Sequence, residues 1–227
     1  METRFSVALA TFVFSTYLSF MTEVSCATCR AVMALGAKTA PLEGEMWPNS
    51  VPAEADALEV FAPGSGHSQT VQIRRCRDCG TLYRYRYHSE YDVSGSWDDY
   101  FFWRMSDAAQ EKIGRILQMP KGSRAPAHTA ALKHPQADVR EDAALLLWIL
   151  MDDGEPMSAE LLEAACFALA DSTYLVGNYC YRGLLSFAFR GKAEAGLLQV
   201  AVNQAKQTAT EDRFGWILLK ECAEIMK

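Results

Sequence analysis

The sequence contains none of the short motifs that mark the common catalytic sites. It has no Gly-x-Ser-x-Gly nucleophile elbow, phosphate-binding loop, dinucleotide fingerprint or His-Glu-x-x-His helix. Catalytic residues can also come from distant positions, so an enzyme without a recognisable local motif stays open as an alternative. The absence favours a binding or scaffold protein over an enzyme.

Positive charge is also in short supply. The chain has 22 Lys and Arg residues against 28 Asp and Glu residues, which gives a formal net charge of −6. A protein whose whole surface grips nucleic acid needs an excess of basic residues, so only a local basic patch could serve that purpose here. Half of the 227 residues are hydrophobic, which allows a packed core and argues against global disorder.

The cysteines do not fit a secreted disulfide scaffold, because their number is odd and their distribution is uneven. Of the seven, four form two Cys-x-x-Cys pairs in the first third of the chain. The other three, Cys166, Cys180 and Cys222, stand singly among apolar residues. A reduced cytoplasmic protein with one metal site explains this division best.

The two pairs predict a tetrahedral metal site. Four thiolates from two Cys-x-x-Cys knuckles suit zinc, and four protein ligands leave no open position for catalysis. Gly80 supports a tight turn after the second pair, because glycine accepts positive φ. Forty-six residues separate the pairs, which is longer than usual, but the cost of loop closure grows only slowly with length. We predict one structural zinc ion bound by Cys26, Cys29, Cys76 and Cys79.

A thiol–disulfide oxidoreductase is the alternative interpretation of a single pair. In that fold the Cys-x-x-Cys motif opens a helix after a strand. The run Val71–Arg75 is predicted to be a strand entering Cys76, but Gly80 and a second strand-like run follow it. The stretch Cys76–Gly80, "CRDCG", resembles the second knuckle of zinc ribbons, and this resemblance implies a small antiparallel sheet.

Aromatic and basic residues alternate over Leu82–His88, "LYRYRYH". In a strand, the three tyrosines would lie on one face and the basic residues on the other. We expect the tyrosines to pack in a core, and Arg84 and Arg86 to face water. Binding of single-stranded nucleic acid is the runner-up. That function needs rings and cations on one accessible face, whereas the alternation places them on opposite faces. Its candidate residues are Arg74, Arg75, Arg77, Arg84 and Arg86.

The remainder of the chain is predicted to be helical. A helix is expected over residues 97–120, beginning at Ser96 with a Ser-x-x-Asp pattern and ending at Pro120. Beyond it, similar segments recur every 37 residues, as with Val139 and Val176. Asp138-Val139-Arg140 resembles the signature of HEAT-type repeats, although an irregular helical bundle is the alternative. The side chains predicted to be buried between helices are Leu132, Val139, Leu146, Leu169, Val176, Leu184 and Ile217.

The first 21 residues have three open interpretations. Phe5–Met21 is apolar and resembles the hydrophobic part of a signal peptide, but the region after it is a poor cleavage site. Translation starting at Met21 and a helix packed on the protein body are the alternatives. We expect no membrane contact unless residues 5–21 act as a targeting segment.

These observations combine into an α+β protein with three regions. They are an apolar leader or mis-assigned start (1–21), a zinc-ribbon-like module with a connecting helix (22–120) and a HEAT-like helical region (121–227). The arrangement resembles uncharacterised bacterial proteins that join a zinc knuckle to helical repeats. The expected role is binding of a protein partner through the helices, with nucleic acid as the second candidate. The residues that carry the resemblance are Cys76, Cys79, Gly80, Tyr83, Tyr85, Glu90, Tyr91, Gly95, Ser96, Asp98 and Asp99.

Overall fold

The computed structural model describes residues 26–35, 37–42, 56–62, 69–92, 95–206 and 213–227. The apolar segment 1–21 lies outside these residues, so the interpretations of it stay predictions. The described chain has the α+β fold that the sequence predicts, with an antiparallel sheet followed by a helical region. Among the described helices, none combines the length and the apolar character that a bilayer crossing needs.

Among the residues that the structure describes, one helix and five strands form the first part of the fold. Helix α1 (Ala27–Leu35) comes before the strands, whose order in the sheet is β1-β5-β4-β3-β2 with every neighbouring pair antiparallel. Strand β4 is therefore central and has a partner on each side. The strands are β1 (Ala37–Leu42), β2 (Leu58–Ala62), β3 (Gln69–Cys76), β4 (Leu82–Asp92) and β5 (Gly95–Arg104).

The helix predicted over residues 97–120 is wrong in its first part. Residues 97–104 belong to β5, which pairs with both β4 and β1, and Ser96 lies opposite Tyr91 in the sheet. Helix α2 (Asp107–Gln118) begins later, and the Ser106 hydroxyl caps it by accepting a hydrogen bond from Ala109 N at 3.2 Å. Pairing with two strands outweighs the local capping pattern at Ser96, because strand formation depends on its neighbours more than on local sequence.

Six further helices are described beyond α2, as three consecutive pairs. The first helix of each pair contacts the first helix of the next pair, and the second helices do the same, so the pairs form two layers. The second helices of the first two pairs begin at positions 137 and 174, which fits the predicted 37-residue spacing. The helices are α3 (Ala125–Leu132), α4 (Ala137–Asp152), α5 (Ala159–Ala168), α6 (Tyr174–Ala188), α7 (Lys192–Lys206) and α8 (Arg213–Ile225).

Burial in the helical layers follows the sequence prediction except in the last helix. The six predicted positions from Leu132 to Leu184 are buried, whereas Ile217 is 40% exposed and its neighbour Leu218 is fully buried. Helix α8 begins 39 residues after α6, since they start at positions 213 and 174. The interval to α8 is therefore not the predicted 37 residues, and a strict repeat from Cys180 selects Ile217 where the buried residue is Leu218.

The two faces of the sheet contribute to different cores. Side chains such as Val71, Ile73 and Leu82 join the helices in one large apolar cluster, which we call the helical core. The opposite face packs against α1 in a smaller cluster, which we call the cysteine-side core. The described buried residues of the cysteine-side core are Cys29, Val32, Leu58, Cys76, Tyr83, Tyr85 and Phe102.

Candidate metal centre

The second cysteine pair lies in the turn between β3 and β4. Cys76 is the last residue of β3, and its N–H donates to Thr81 O at 2.9 Å. Gly80 N–H donates to Cys76 O at 2.9 Å, and Gly80 has a φ of 78°. Such a φ is strained for any residue with a Cβ, so glycine allows the turn that directs both thiols to the same side. The turn is the one predicted from the sequence.

The first pair is not a hairpin knuckle, in contrast to the sequence expectation. Cys26 lies immediately before α1 and Cys29 lies in its first turn, where Arg30 N–H donates to Cys26 O at 3.1 Å. A helix N-terminus carries partial positive charge and so favours the negative charge of nearby thiolates. The likeness to zinc ribbons is therefore limited to the Cys76–Cys79 turn and the strand after it.

The fold brings the four cysteines together although 46 residues separate the two pairs. Their Sγ atoms all lie within 4.8 Å of one another. Across the two pairs, Cys26 Sγ lies 3.8 Å from Cys76 Sγ, and Cys29 Sγ lies 3.3 Å from Cys79 Sγ. A single tetrahedral ion with metal–sulfur bonds of about 2.3 Å places its sulfurs about 3.8 Å apart. This group of four thiols can therefore hold one metal ion.

The four thiols differ in their exposure and electrostatics. Cys29 and Cys76 are buried, and burial is the main cause that raises the pKa of each. Cys79 is exposed at the surface of the cluster. Desolvation raises the pKa of Cys79 as well, but hydrogen bonds from Thr81 and from neighbouring cysteines outweigh it and lower that pKa to about 6. A bound divalent cation would hold all four sulfurs as thiolates, because the thiolate is the ligand form.

Neighbouring side chains fix the two pairs relative to each other. Thr28 Oγ1 donates to Asp78 Oδ2 at 2.5 Å, which links the middle residues of the two Cys-x-x-Cys segments. The Cys79 thiol lies 3.1 Å from the Thr81 hydroxyl. Beneath the sulfurs, Tyr83 is fully buried, and burial raises the pKa of its hydroxyl. The Thr28–Asp78 hydrogen bond connects the two pairs, and the Tyr83 ring closes the inner side of the site.

The arginines proposed for nucleic-acid binding do not form one patch. Arg74 is 7% exposed and its guanidinium lies 3.9 Å from the centre of the Tyr85 ring, on the side of the cysteines. Arg75 pairs with Glu59 on the neighbouring strand β2. Arg77 is exposed in the turn between β3 and β4.

Arg84 does not face water, so the sequence expectation for it is wrong. Its side chain is 18% exposed and pairs with Glu141 and Asp142 on α4, with Nε 3.0 Å from Asp142 Oδ1. The second arginine of the alternation, Arg86, lies over the Phe101 ring, 4.8 Å from its centre. Period-two alternation correctly separates the tyrosines from these arginines. It did not reveal that α4 covers the arginine face of the sheet.

The carboxylate of Asp142 is the charged group that the sequence reasoning missed. Its side chain is 1% exposed, and burial raises its pKa to about 7 although Arg84 opposes the shift. A signal for it exists in the sequence, because Asp142 lies three positions after Val139 on the stripe that faces the core. An acidic residue on such a stripe predicts a buried ionic partner.

Comparison of the chain with protein-family models, curated proteins and solved structures gives no match.

Proposed function

We propose that this is a non-catalytic protein-interaction protein whose fold is held by one structural zinc ion. The observation that carries the proposal is the cluster of four thiols within 4.8 Å. Four cysteine ligands complete a tetrahedral zinc site and leave no position for a substrate or an activated water molecule. The ion then links α1 to the β3–β4 turn and serves the fold rather than a reaction.

The compactness of the cluster supports a single ion over an iron–sulfur cluster. Clusters with two or four iron atoms distribute their cysteine ligands over different irons and need the sulfurs further apart. The 3.8 Å and 3.3 Å Sγ–Sγ distances instead match the edge of one tetrahedron, about 3.8 Å. Sulfur-only tetrahedral coordination is typical of zinc, with mononuclear iron as the alternative ion. An iron-bound protein would be coloured, which separates the two ions at once.

The helical layers supply the interaction surface in this proposal. Three successive helix pairs in two layers support the HEAT-like interpretation, since stacked pairs present an extended surface. Between α5 and α7 lies an apolar groove of about 780 Å³. Leu197 and Val200 line it and are 61% and 58% exposed, which is unusual for aliphatic side chains.

The shape and charge of the α5–α7 groove suggest its occupant. Helix α7 has 15 residues and so spans roughly 22 Å, the length of a short partner helix. Glu163 and Lys192 also line the groove and provide one charge of each sign beside its apolar floor. We therefore expect a partner helix with an apolar stripe flanked by residues of both charges.

Nucleic-acid binding is the second candidate, and one observation favours it. Phe101 and Trp103 stack with ring centres 5.2 Å apart, and the register places them opposite Arg86 and Arg84 on the same face of the sheet. Rings and cations on one face are what single-strand binding requires. Against it, two carboxylates of α4 already engage Arg84.

A pull-down from native extract, with and without nuclease, tests the role. We expect a protein that the wild type retains after nuclease treatment and that Val200→Glu fails to retain. Ile217→Glu is the matched control, because it adds the same charge at an exposed aliphatic residue outside the groove. Binding that disappears with nuclease and with Trp103→Ala would replace our proposal with the nucleic-acid candidate.

A further inference from the structure

The four thiols of the metal centre are unequally accessible to a reagent in solution. Cys79 is exposed, whereas Cys29 and Cys76 are 0% and 1% exposed and Cys26 is half-buried. Cys79 lies in the β3–β4 turn, with its Sγ 3.1 Å from Thr81 Oγ1 and 3.3 Å from Cys29 Sγ. An oxidant that reaches the cluster from water therefore meets Cys79 first.

The sulfur nearest to Cys79 in the other pair is ideally placed for a second step. Cys29 Sγ lies 3.3 Å from Cys79 Sγ, closer than the 3.8 Å between Cys26 Sγ and Cys76 Sγ. A disulfide bond is about 2.05 Å long, so closing the Cys29–Cys79 pair needs a movement of about 1.3 Å. The bond would join the helix pair to the turn pair across the centre of the metal site.

The remaining thiols of the chain do not compete for the oxidant. Cys166, Cys180 and Cys222 are at most 2% exposed within the helical core. Burial also raises the pKa of Cys180 and of Cys222, which keeps them in the less reactive thiol form. Oxidation of thiols by a small polar reagent is therefore expected at the metal centre first.

We propose that Cys79 and Cys29 are a redox modification site, at which a hydroperoxide forms a disulfide and expels the metal ion. This inference rests on the proposed zinc site and adds its regulation. The Cys79 sulfur attacks the peroxide oxygen, the O–O bond breaks, and the leaving hydroxide takes a solvent proton to become water. Cys29 sulfur then attacks the sulfenic acid of Cys79, and the second hydroxide leaves as water with another solvent proton.

The step balances with one peroxide and one metal ion. The reactants are zinc held by four thiolates, one hydrogen peroxide molecule and two protons. The products are free zinc, one disulfide, two thiolates and two water molecules. The two sulfurs are each oxidised by one electron, and the peroxide takes both electrons. With two of its four ligands lost, the ion dissociates, and α1 loses its link to the β3–β4 turn. The helical core lies on the other face of the sheet and stays folded.

The test treats full-length protein with increasing hydrogen peroxide, once zinc-loaded and once stripped by a chelator. A chromogenic chelator follows zinc, and peptide mapping without reduction identifies the first disulfide. We expect one zinc released per peroxide, a Cys29–Cys79 bond in both samples, and full reversal by a dithiol reductant. The helical signal in circular dichroism should fall by no more than about the fraction of helical residues that α1 contributes.

Several outcomes would overturn the inference. Zinc that stays bound at ten equivalents of hydrogen peroxide would contradict it. A first disulfide formed within one pair, either Cys76–Cys79 or Cys26–Cys29, would contradict it as well. Oxidation of Cys166 before Cys79 would also contradict the inference. A reduced protein that never binds zinc defeats the proposed function instead, and the stripped sample then still decides whether Cys29 and Cys79 pair. Cys166→Ser is the control and should release zinc at the wild-type rate.

Discussion

The two faces of the sheet are stabilised in different ways. The face towards the helices joins an apolar core built from Val71, Ile73, Leu82 and many buried residues of α2 to α8. The face towards α1 has a much smaller described core, in which Cys29 and Cys76 are themselves members. Small apolar clusters rarely fold without a disulfide, a metal ion or a partner. The comparison supports our proposal that the cysteine-side core depends on a bound ion, whereas the described helical core is large enough to stand on apolar packing.

The two sides also treat charge differently. On the cysteine side, four thiols lie close enough for one cation to hold them all as thiolates, and the buried Arg74 guanidinium lies over the Tyr85 ring. On the helical side, Arg84 crosses from β4 to Glu141 and Asp142 of α4 and ties the sheet to the helices. Removing the cation or the arginine would leave buried or crowded negative charge, but in different cores. A substitution on one side of the sheet should therefore destabilise the core on that side and leave the other core intact.

The largest expected effect is that of Cys29→Ser. Structural zinc contributes on the order of 10 kcal/mol to the folding of small sites, so the variant should lose the metal and the cysteine-side core. Cys166→Ser, in the helical core, should keep zinc and cost about 1–2 kcal/mol. Metal analysis together with chemical denaturation measures both. Equal losses of stability with zinc retained in both variants would show that the cores do not differ in this way.

Next in size is Tyr85→Ala on the cysteine side. Tyr85 is 3% exposed and packs on Phe102 with ring centres 5.1 Å apart, so its truncation should cost about 4 kcal/mol. Trp103→Ala is the control from the next strand, because Trp103 is 42% exposed. Urea denaturation of zinc-saturated protein should show a loss at least twice as large for Tyr85→Ala. The reverse order would mean that the tyrosine face is not a core.

Arg84→Gln tests the link between the sheet and the helices. The substitution leaves Glu141 and Asp142 without their shared cation, and breaking a buried pair in this way costs about 3 kcal/mol or more. Arg86→Gln removes the described contact with the Phe101 ring and no described ion pair, so it should cost less than about 1 kcal/mol. Zinc content should stay unchanged in both, because neither residue touches the cysteines. Similar losses of thermal stability in the two variants would contradict the assignment of Arg84 as the link between the sheet and the helices.

Asp142 should give the helical side a pH dependence of its own. Its pKa of about 7 in the fold lies above the ordinary value near 3.9, so between these values the folded state holds a proton that the unfolded state lacks. That contribution is complete at low pH and is lost as pH rises towards 7. From pH 5.5 to 7, the wild type should lose about 1.5 kcal/mol relative to Asp142→Asn.

The groups that act on Asp142 are Arg84 from β4, Glu141 and Asp138 from its own helix, and Tyr179 from α6. Because the comparison with Asp142→Asn cancels titration elsewhere, including that of the cysteines, the difference isolates this carboxyl group. A difference in unfolding free energy that is constant between pH 5.5 and 7 would refute the prediction.

The smallest effect on stability is expected at the α5–α7 groove. Val200 is 58% exposed, so Val200→Glu should change the unfolding free energy by less than about 0.5 kcal/mol. Partner retention should nevertheless be lost, which distinguishes a docking surface from either core. A large loss of stability in calorimetry would mean that Val200 is part of the helical core.

The sequence predicted features that depend on local chemistry. The two Cys-x-x-Cys pairs, the turn at Gly80 and the strands β3 and β4 all follow from residue type and spacing, and the structure has them. The helical segments beyond Pro120 follow from apolar periodicity for the same reason.

Features that depend on distant partners could not be predicted in this way. Strand β5 has the local pattern of a helix start at Ser96, and only its pairing with β1 and β4 makes it a strand. Arg84 lies on the face opposite the tyrosines as predicted, but α4 covers that face. Cys26 and Cys29 open a helix, although their motif is the same as that of the turn pair.

The central claim is that the cysteine-side core is built on one zinc ion. Native mass spectrometry of freshly reduced full-length protein measures this directly. The account predicts a single species that carries one zinc per chain, and a metal-free species for Cys29→Ser. A metal-free wild type, or zinc that persists when Cys29 is replaced, would contradict it.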